Sequence, residues 1–198
     1  MPYTMKALAC DQTAIKGMSE RLIVSHYENN YGGAVRRLNA IATQLAELDF
    51  ATAPVFVING LKREELVAAN SMILHELFFA SLGSESEPQG KLHDALIRDF
   101  GTIDRWRAGF SAMGKAQGGG SGWVLLTWSP HDRKLLNQWA MDHTTTLAGG
   151  QPILALDMYE HSYHMDYGAR AAAYVDAFMA AINWPSVAAA YARLMPAG

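Results

Sequence analysis

The densest chemistry in the chain is the run Asp157-Met158-Tyr159-Glu160-His161-Ser162-Tyr163-His164. Asp157 and His161 are four residues apart, so a helical turn puts both on one face. A carboxylate and an imidazole presented together can bind a borderline-hard transition metal. The same spacing is common on solvated helix surfaces, where the pair does no more than interact locally. Two further histidines lie in apolar-patterned segments: His26 in Ser25-His26-Tyr27-Glu28 and His75 in Ile73-Leu74-His75-Glu76-Leu77-Phe78-Phe79. Each, read alone, is a satisfied core histidine. Two buried imidazoles on adjacent helices are costly unless they share a purpose. A metal site built from facing helices in a bundle core is such a purpose.

The elements that must position these groups follow from the apolar pattern. From about Ser19 to Asp49, Leu22, Ile23, Val35, Leu38, Ile41, Leu45 and Leu48 recur at helical spacing, interrupted by Gly32-Gly33, which permits a bend or a close packing contact. A second helix is predicted over 62–82, with Leu66, Ile73, Leu74, Leu77 and Phe78 on its apolar face and Ala53-Pro54 and Asn59-Gly60 punctuating the connection. The polar, breaker-rich stretch 83–90 marks a domain boundary. Beyond it, short helices are predicted over 93–101 and 103–115, strands over 123–128, 134–140 and 152–156, and closing helices over 166–181 and 185–194. Pro185 suits the first turn of the last helix. Helices first, then a mixed unit, is an α+β architecture.

Composition narrows the function. Half of the 198 residues are hydrophobic and 18% are charged, as in an ordinary globular protein. A net charge of -3 argues against nucleic-acid binding, which needs clustered Lys and Arg. The one cysteine, Cys10, permits neither an intrachain disulfide nor a thiolate metal cluster, which suits a reducing, cytoplasmic compartment. Met5-Lys6-Ala7-Leu8-Ala9-Cys10 faintly echoes a lipoprotein cleavage site but lacks the apolar core of a signal peptide. No apolar run approaches the roughly 20 residues of a membrane span.

The same residues carry a family resemblance. From about Ser19 to Ala188 the chain resembles the iron/manganese superoxide dismutases. His26 stands where that family has a histidine in its first long helix, and His75, in Leu74-His75-Glu76-Leu77-Phe78, matches an Asn-His-x-Phe-type stretch. The family signature Asp-x-Trp-Glu-His-Ala-Tyr is read here as Asp157 to Tyr163, with Tyr159 in place of tryptophan. Gly120-Ser121-Gly122-Trp123 and Ile182-Asn183-Trp184 match two further family stretches.

The resemblance implies an N-terminal long-helix hairpin domain (1–83) and a C-terminal α/β domain (91–198) with a small three-stranded antiparallel sheet, with the metal site between them. It implies one iron or manganese ion per chain, held by His26, His75, Asp157 and His161, with superoxide as substrate and dioxygen and hydrogen peroxide as products. Glu160 is expected to cross a two-fold interface to the partner's last histidine ligand, giving a homodimer or a tetramer built from it. The glutamine that usually donates to the metal's solvent ligand is absent: its helix position is Ser71, and His143 is expected to replace it. The family's gateway tyrosine falls on Ala34 and its helper histidine on Asn30. Tyr31 could replace that tyrosine if the helix repacks around Gly32-Gly33. His164, in place of the tyrosine that pairs with the helper histidine, is expected to meet Asn30 across the interface. Arg36, Arg37 and Arg170 are candidates for attracting an anion to a mildly acidic protein. The alternative is a metal-binding relative whose activity is lost or redirected to another redox substrate, or which serves a structural or interaction role.

Overall fold

Ser19 opens the first helix: its backbone is extended and its hydroxyl accepts the Leu22 N–H at 3.1 Å, filling one donor a helix start leaves free. The structure, a computed structural model, describes residues 2–83 and 86–194, so two residues of the predicted boundary segment and the chain ends lie outside it. Helix α1 (Glu20–Ser25) runs into a π-helical turn over His26–Tyr31 and then into α2 (Gly32–Glu47). The interruption predicted at the glycines is therefore a π turn just before them. Gly32 supplies close contact, since a Cβ there would meet Met5 Sδ at 3.1 Å.

Helix α3 (Val55–Ala80) completes the hairpin. It starts seven residues before the predicted 62. Asn59-Gly60 does not break it, because Pro54 precedes the first turn and Gly60 stands in open space. Its inner face is only partly the predicted one: Leu74 and Phe78 are buried and Leu77 packs against the core as expected. Leu66 and Ile73 are 47% and 51% exposed, while Ala68, Ser71, Met72, Leu74, His75, Phe78 and Phe79 are buried. Apolar residues on every side of this helix make its sequence period ambiguous.

The C-terminal part comprises α4 (Gly90–Phe100), α5 (Ile103–Ala116), a sheet, and α6 (His164–Tyr167), α7 (Ala171–Ala180) and α8 (Trp184–Leu194). Gly168, at φ 55°, separates α6 from α7 where one helix was predicted over 166–181. The strands β1 (Trp123–Ser129), β2 (Lys134–Ala140) and β3 (Gln151–Asp157) pair antiparallel in the order β2-β1-β3. The architecture is thus α+β, with helices followed by a three-stranded antiparallel sheet. Trp123 opposes Ala140 on one side and Asp157 on the other, so the register itself brings an indole next to the carboxylate.

Gly122 makes that register possible. Its φ is 130°, and a Cβ there would lie 2.2 Å from the Ala140 carbonyl oxygen. The two halves are joined by backbone after α3: Leu82 bridges Ile182, and the Asn183 N–H donates to the Ser81 carbonyl at 2.7 Å. Phe78 stacks on Phe178 of α7 at 5.8 Å.

Candidate metal centre

Four donors from four places in the chain converge between the hairpin and the sheet. His26 opens the π turn, His75 lies near the end of α3, Asp157 ends β3, and His161 sits in a 3-10 turn over Glu160–Ser162. Asp157 Oδ2 is 3.1 Å from His26 Nε2, 3.2 Å from His161 Nε2 and 3.5 Å from His75 Nε2. All four donor atoms lie within 4.8 Å of one another. Atoms sharing one first-row ion at roughly 2.1 Å lie about 3 to 4 Å apart, and the three carboxylate–imidazole distances fall in that range. His26, His75 and Asp157 are buried, and the His161 side chain is 27% exposed.

The hydrogen-bond inventory points to the same conclusion. His75 Nδ1 lies 2.7 Å from the Ser71 carbonyl oxygen, which requires the proton on Nδ1 and leaves a lone pair on Nε2. That Nε2 is buried without a partner. A buried lone pair facing a carboxylate has a use for a cation. Burial drives the His75 pKa down to about 3, helped by His26, and burial also lowers His26. Burial opposes ionisation of Asp157, but His161 and hydrogen bonds from His161 and His26 outweigh it and hold the carboxyl below the usual range. Neutral imidazoles beside a carboxylate that stays ionised suit a borderline-hard transition ion. The residues present therefore fit a metal.

Around the donors the chain builds a rigid aromatic wall. Phe78 and Phe79 pack on His26 at 4.9 and 5.0 Å, and Trp123 meets His75 edge-on at 5.2 Å. Asp157 Oδ1 accepts the Tyr159 N–H at 2.8 Å, which fixes the carboxylate. The Tyr159 ring lies between two histidines, 4.8 Å from His143 and 5.4 Å from His161, nearly parallel to both. Trp123 Nε1 donates to His143 Nδ1 at 3.0 Å, so the neutral His143 ring carries its proton on Nε2.

The other predicted residues lie nearby. Tyr31 is buried with its ring 6.5 Å from His75. Its hydroxyl accepts the Lys6 backbone N–H at 2.8 Å and donates to Glu76 at 3.0 Å, so it lines a cavity of about 110 Å³ under the N-terminal segment. Ala34, Asn30, Arg37, Ser71 and His143 line a different cavity. Arg36 packs at Gly32, and Arg170 stands before α7 with its Nε donating to the Tyr167 carbonyl. Glu160 and His164 are exposed, and Asn30 is half-buried.

Two residues were missed from sequence. Asn70 on α3 donates its amide to the His143 carbonyl. Asp142 accepts from the Thr144 N–H at 2.7 Å and from the Thr144 and Thr145 hydroxyls, closing a turn around His143. The Asp-x-Thr-Thr pattern is a local turn signal that could have revealed the second. Asn70 had none.

Comparison with known proteins agrees with this geometry. The family described as iron/manganese superoxide dismutases, C-terminal domain, matches residues 88–190. The chain is 67% identical over 192 residues to a superoxide dismutase [Fe] of Cupriavidus metallidurans, covering 97% of this chain and 98% of the relative. It is 34% identical to superoxide dismutase [Mn] 1 of Halobacterium salinarum, covering 92% and 91% respectively. A superoxide dismutase [Fe] of Aquifex pyrophilus is 31% identical, covering 92% of this chain and 88% of the relative.

Proposed function

We infer that this chain, which belongs to the iron/manganese superoxide dismutase family, is itself an iron- or manganese-dependent superoxide dismutase. The observation that carries this is the convergence of His26, His75, Asp157 and His161 on a volume one ion can fill. Bound there, iron or manganese alternating between +3 and +2 supplies the redox chemistry, oxidising one superoxide to dioxygen and reducing a second, with two protons, to hydrogen peroxide. Asp157 and the three imidazoles hold that ion. Phe78, Phe79, Trp123 and Tyr159 exclude bulk water and fix the donors' orientation.

His143 is the donor we assign to the solvent ligand, because Trp123 holds the proton on its Nε2. Tyr31 is assigned to the opposite side. Its ring supports His75, and its hydroxyl leads through Glu76 towards the exposed Lys6, a path along which a proton can move. Arg37, on the wall of the cavity beside His143, is the guanidinium best placed to draw in an anion.

The exposed Glu160 next to a partly exposed ligand supports a homodimer, or a tetramer built from it, in which Glu160 meets the partner's His161 and Asn30 meets the partner's His164. An Asn30→Ala/His164→Ala double-mutant cycle with no coupling would remove the second contact. We read 1–83 and 91–198 as the two domains, and the single cysteine supports a cytoplasmic setting.

The test is superoxide dismutation by protein reconstituted separately with iron and manganese, with His161→Ala as the blank. Iron comes first, given the 67% identical relative. Activity lost in the variant is the expected result. Two fully loaded, inactive forms would overturn the reading.

A further inference from the structure

The N-terminal segment over 2–7 belongs to no helix or strand, yet side chains of the hairpin hold its main chain. The Asn39 amide takes both the N–H and the carbonyl of Tyr3, at 2.8 and 2.9 Å. Lys6 is held at more points. Its N–H donates to the Tyr31 hydroxyl at 2.8 Å, its carbonyl accepts the Tyr27 hydroxyl at 2.7 Å, and its ammonium pairs with Glu76 Oε2. The Tyr31 hydroxyl in turn donates to Glu76 Oε1 at 3.0 Å. Lys6, Tyr31 and Glu76 thus close a ring of three hydrogen bonds, in which each contact polarises the next.

The ring's place in the fold gives it a task. Tyr27 follows His26 and Tyr31 ends the same π turn, whereas Glu76 follows His75 on α3. Among the described residues, the bond from Tyr31 to Glu76 is the direct hydrogen bond between that turn and α3. Lys6 grips both of its ends from outside the helix pair. An exposed ion pair adds little, and the Lys6 side chain is 73% exposed, so its two main-chain hydrogen bonds carry most of the hold. We propose that Lys6 is a positioning residue, a clasp that holds the turn bearing His26 against the helix bearing His75 and so retards the parting of these two ligands. This rests on the four-donor metal reading, and neither on dismutation nor on the proton path.

The test is release of iron from the loaded protein to excess EDTA, with the absorption spectrum of the iron(III) form and the turnover recorded beside it. If the ligands part only when the clasp opens, a lost clasp contact appears in the release rate. Release is expected to be about fivefold faster in Tyr27→Phe, which removes one hydrogen bond on Lys6 and lies outside the proton path. It should be about twofold faster in Lys6→Met, which removes the ion pair, and return to the wild-type rate in Lys6→Arg. Asn39→Ala, which frees Tyr3 and leaves Lys6 in place, should release iron as the wild type does. Equal release in the wild type and every variant, or Asn39→Ala as fast as Tyr27→Phe, overturns the proposal and makes the segment a plain terminal anchor. Lys6→Met slowed in turnover alone, with wild-type release and spectrum, also overturns it and leaves the proton path standing. Loaded protein without dismutase activity, whose release still follows the expected order, keeps the clasp and removes the dismutase reading. A chain that takes up neither iron nor manganese overturns both.

Discussion

Replacing Trp123 with phenylalanine isolates one hydrogen bond at the centre of the site. Trp123 is fully buried, meets His75 edge-on, and gives its Nε1–H to His143 Nδ1 at 3.0 Å. Phenylalanine keeps an aromatic ring against His75, so we predict unchanged metal content. The buried hydrogen bond is worth about 1 kcal/mol net, and a His143 nitrogen left without a donor costs about 1–3 kcal/mol, so stability should fall by that order. Turnover should fall too. Without the indole, the Nδ1–H form of His143 gains population, and about 1–1.4 kcal/mol lost at the transition state lowers the rate about five- to tenfold. The assay is the dismutation rate per bound metal, with unfolding followed in urea. In a His143→Ala background the same substitution should cost no further activity, because the group it positions is gone. A Trp123→Phe protein with full rate per metal, or with additive losses in the double variant, would refute the assignment of His143.

Three other outcomes are expected. Removal of the metal by chelation should lower the unfolding temperature, because the ion binds the folded chain and His75 Nε2 is left without a partner; identical melting of both forms would count against the site. Gly122→Ala should destabilise by at least about 1–3 kcal/mol from backbone conformation alone, read in urea, since φ is 130° and the Cβ would strike the Ala140 carbonyl. Asn70→Ala should reduce the rate per metal several-fold at unchanged metal content, because the His143 carbonyl loses its tether to α3, and an unchanged rate would show that the Asp142 turn suffices.

What could be read from the sequence depended on whether a signal was local. Asp157 and His161 are close along the chain, but their spacing alone is also that of a solvated pair and the family resemblance singled them out; the strands β1 and β2 show as apolar runs beside turn residues. The start of α3 was obscured because Asn59-Gly60 has the chemistry of a turn, yet the helix continues through it in solvent, where glycine costs little more than propensity. Its inner face was misassigned at Leu66 and Ile73, which are as apolar as the residues that face the core. The Asn70 contact with His143 joins positions 73 residues apart, and no pattern along the chain encodes it. The π-helical turn has no composition of its own. It exists because packing on both sides requires the extra residue.

That turn also governs how this site can be transplanted. Over His26–Tyr31 the backbone holds one residue more than an α-helix of equal rise, with the Gly32 N–H reaching back to the Tyr27 carbonyl. Winding all of these residues into a regular α-helix would fuse α1 and α2 into one straight rod. His26 would stay in place, while everything downstream would rotate by roughly 100°, the angular step of an α-helix. Leu38 would leave the core and Arg37 the cavity wall. An idealised scaffold with a regular first helix must therefore drop one residue of this stretch to inherit both the metal ligand and the surface that serves it.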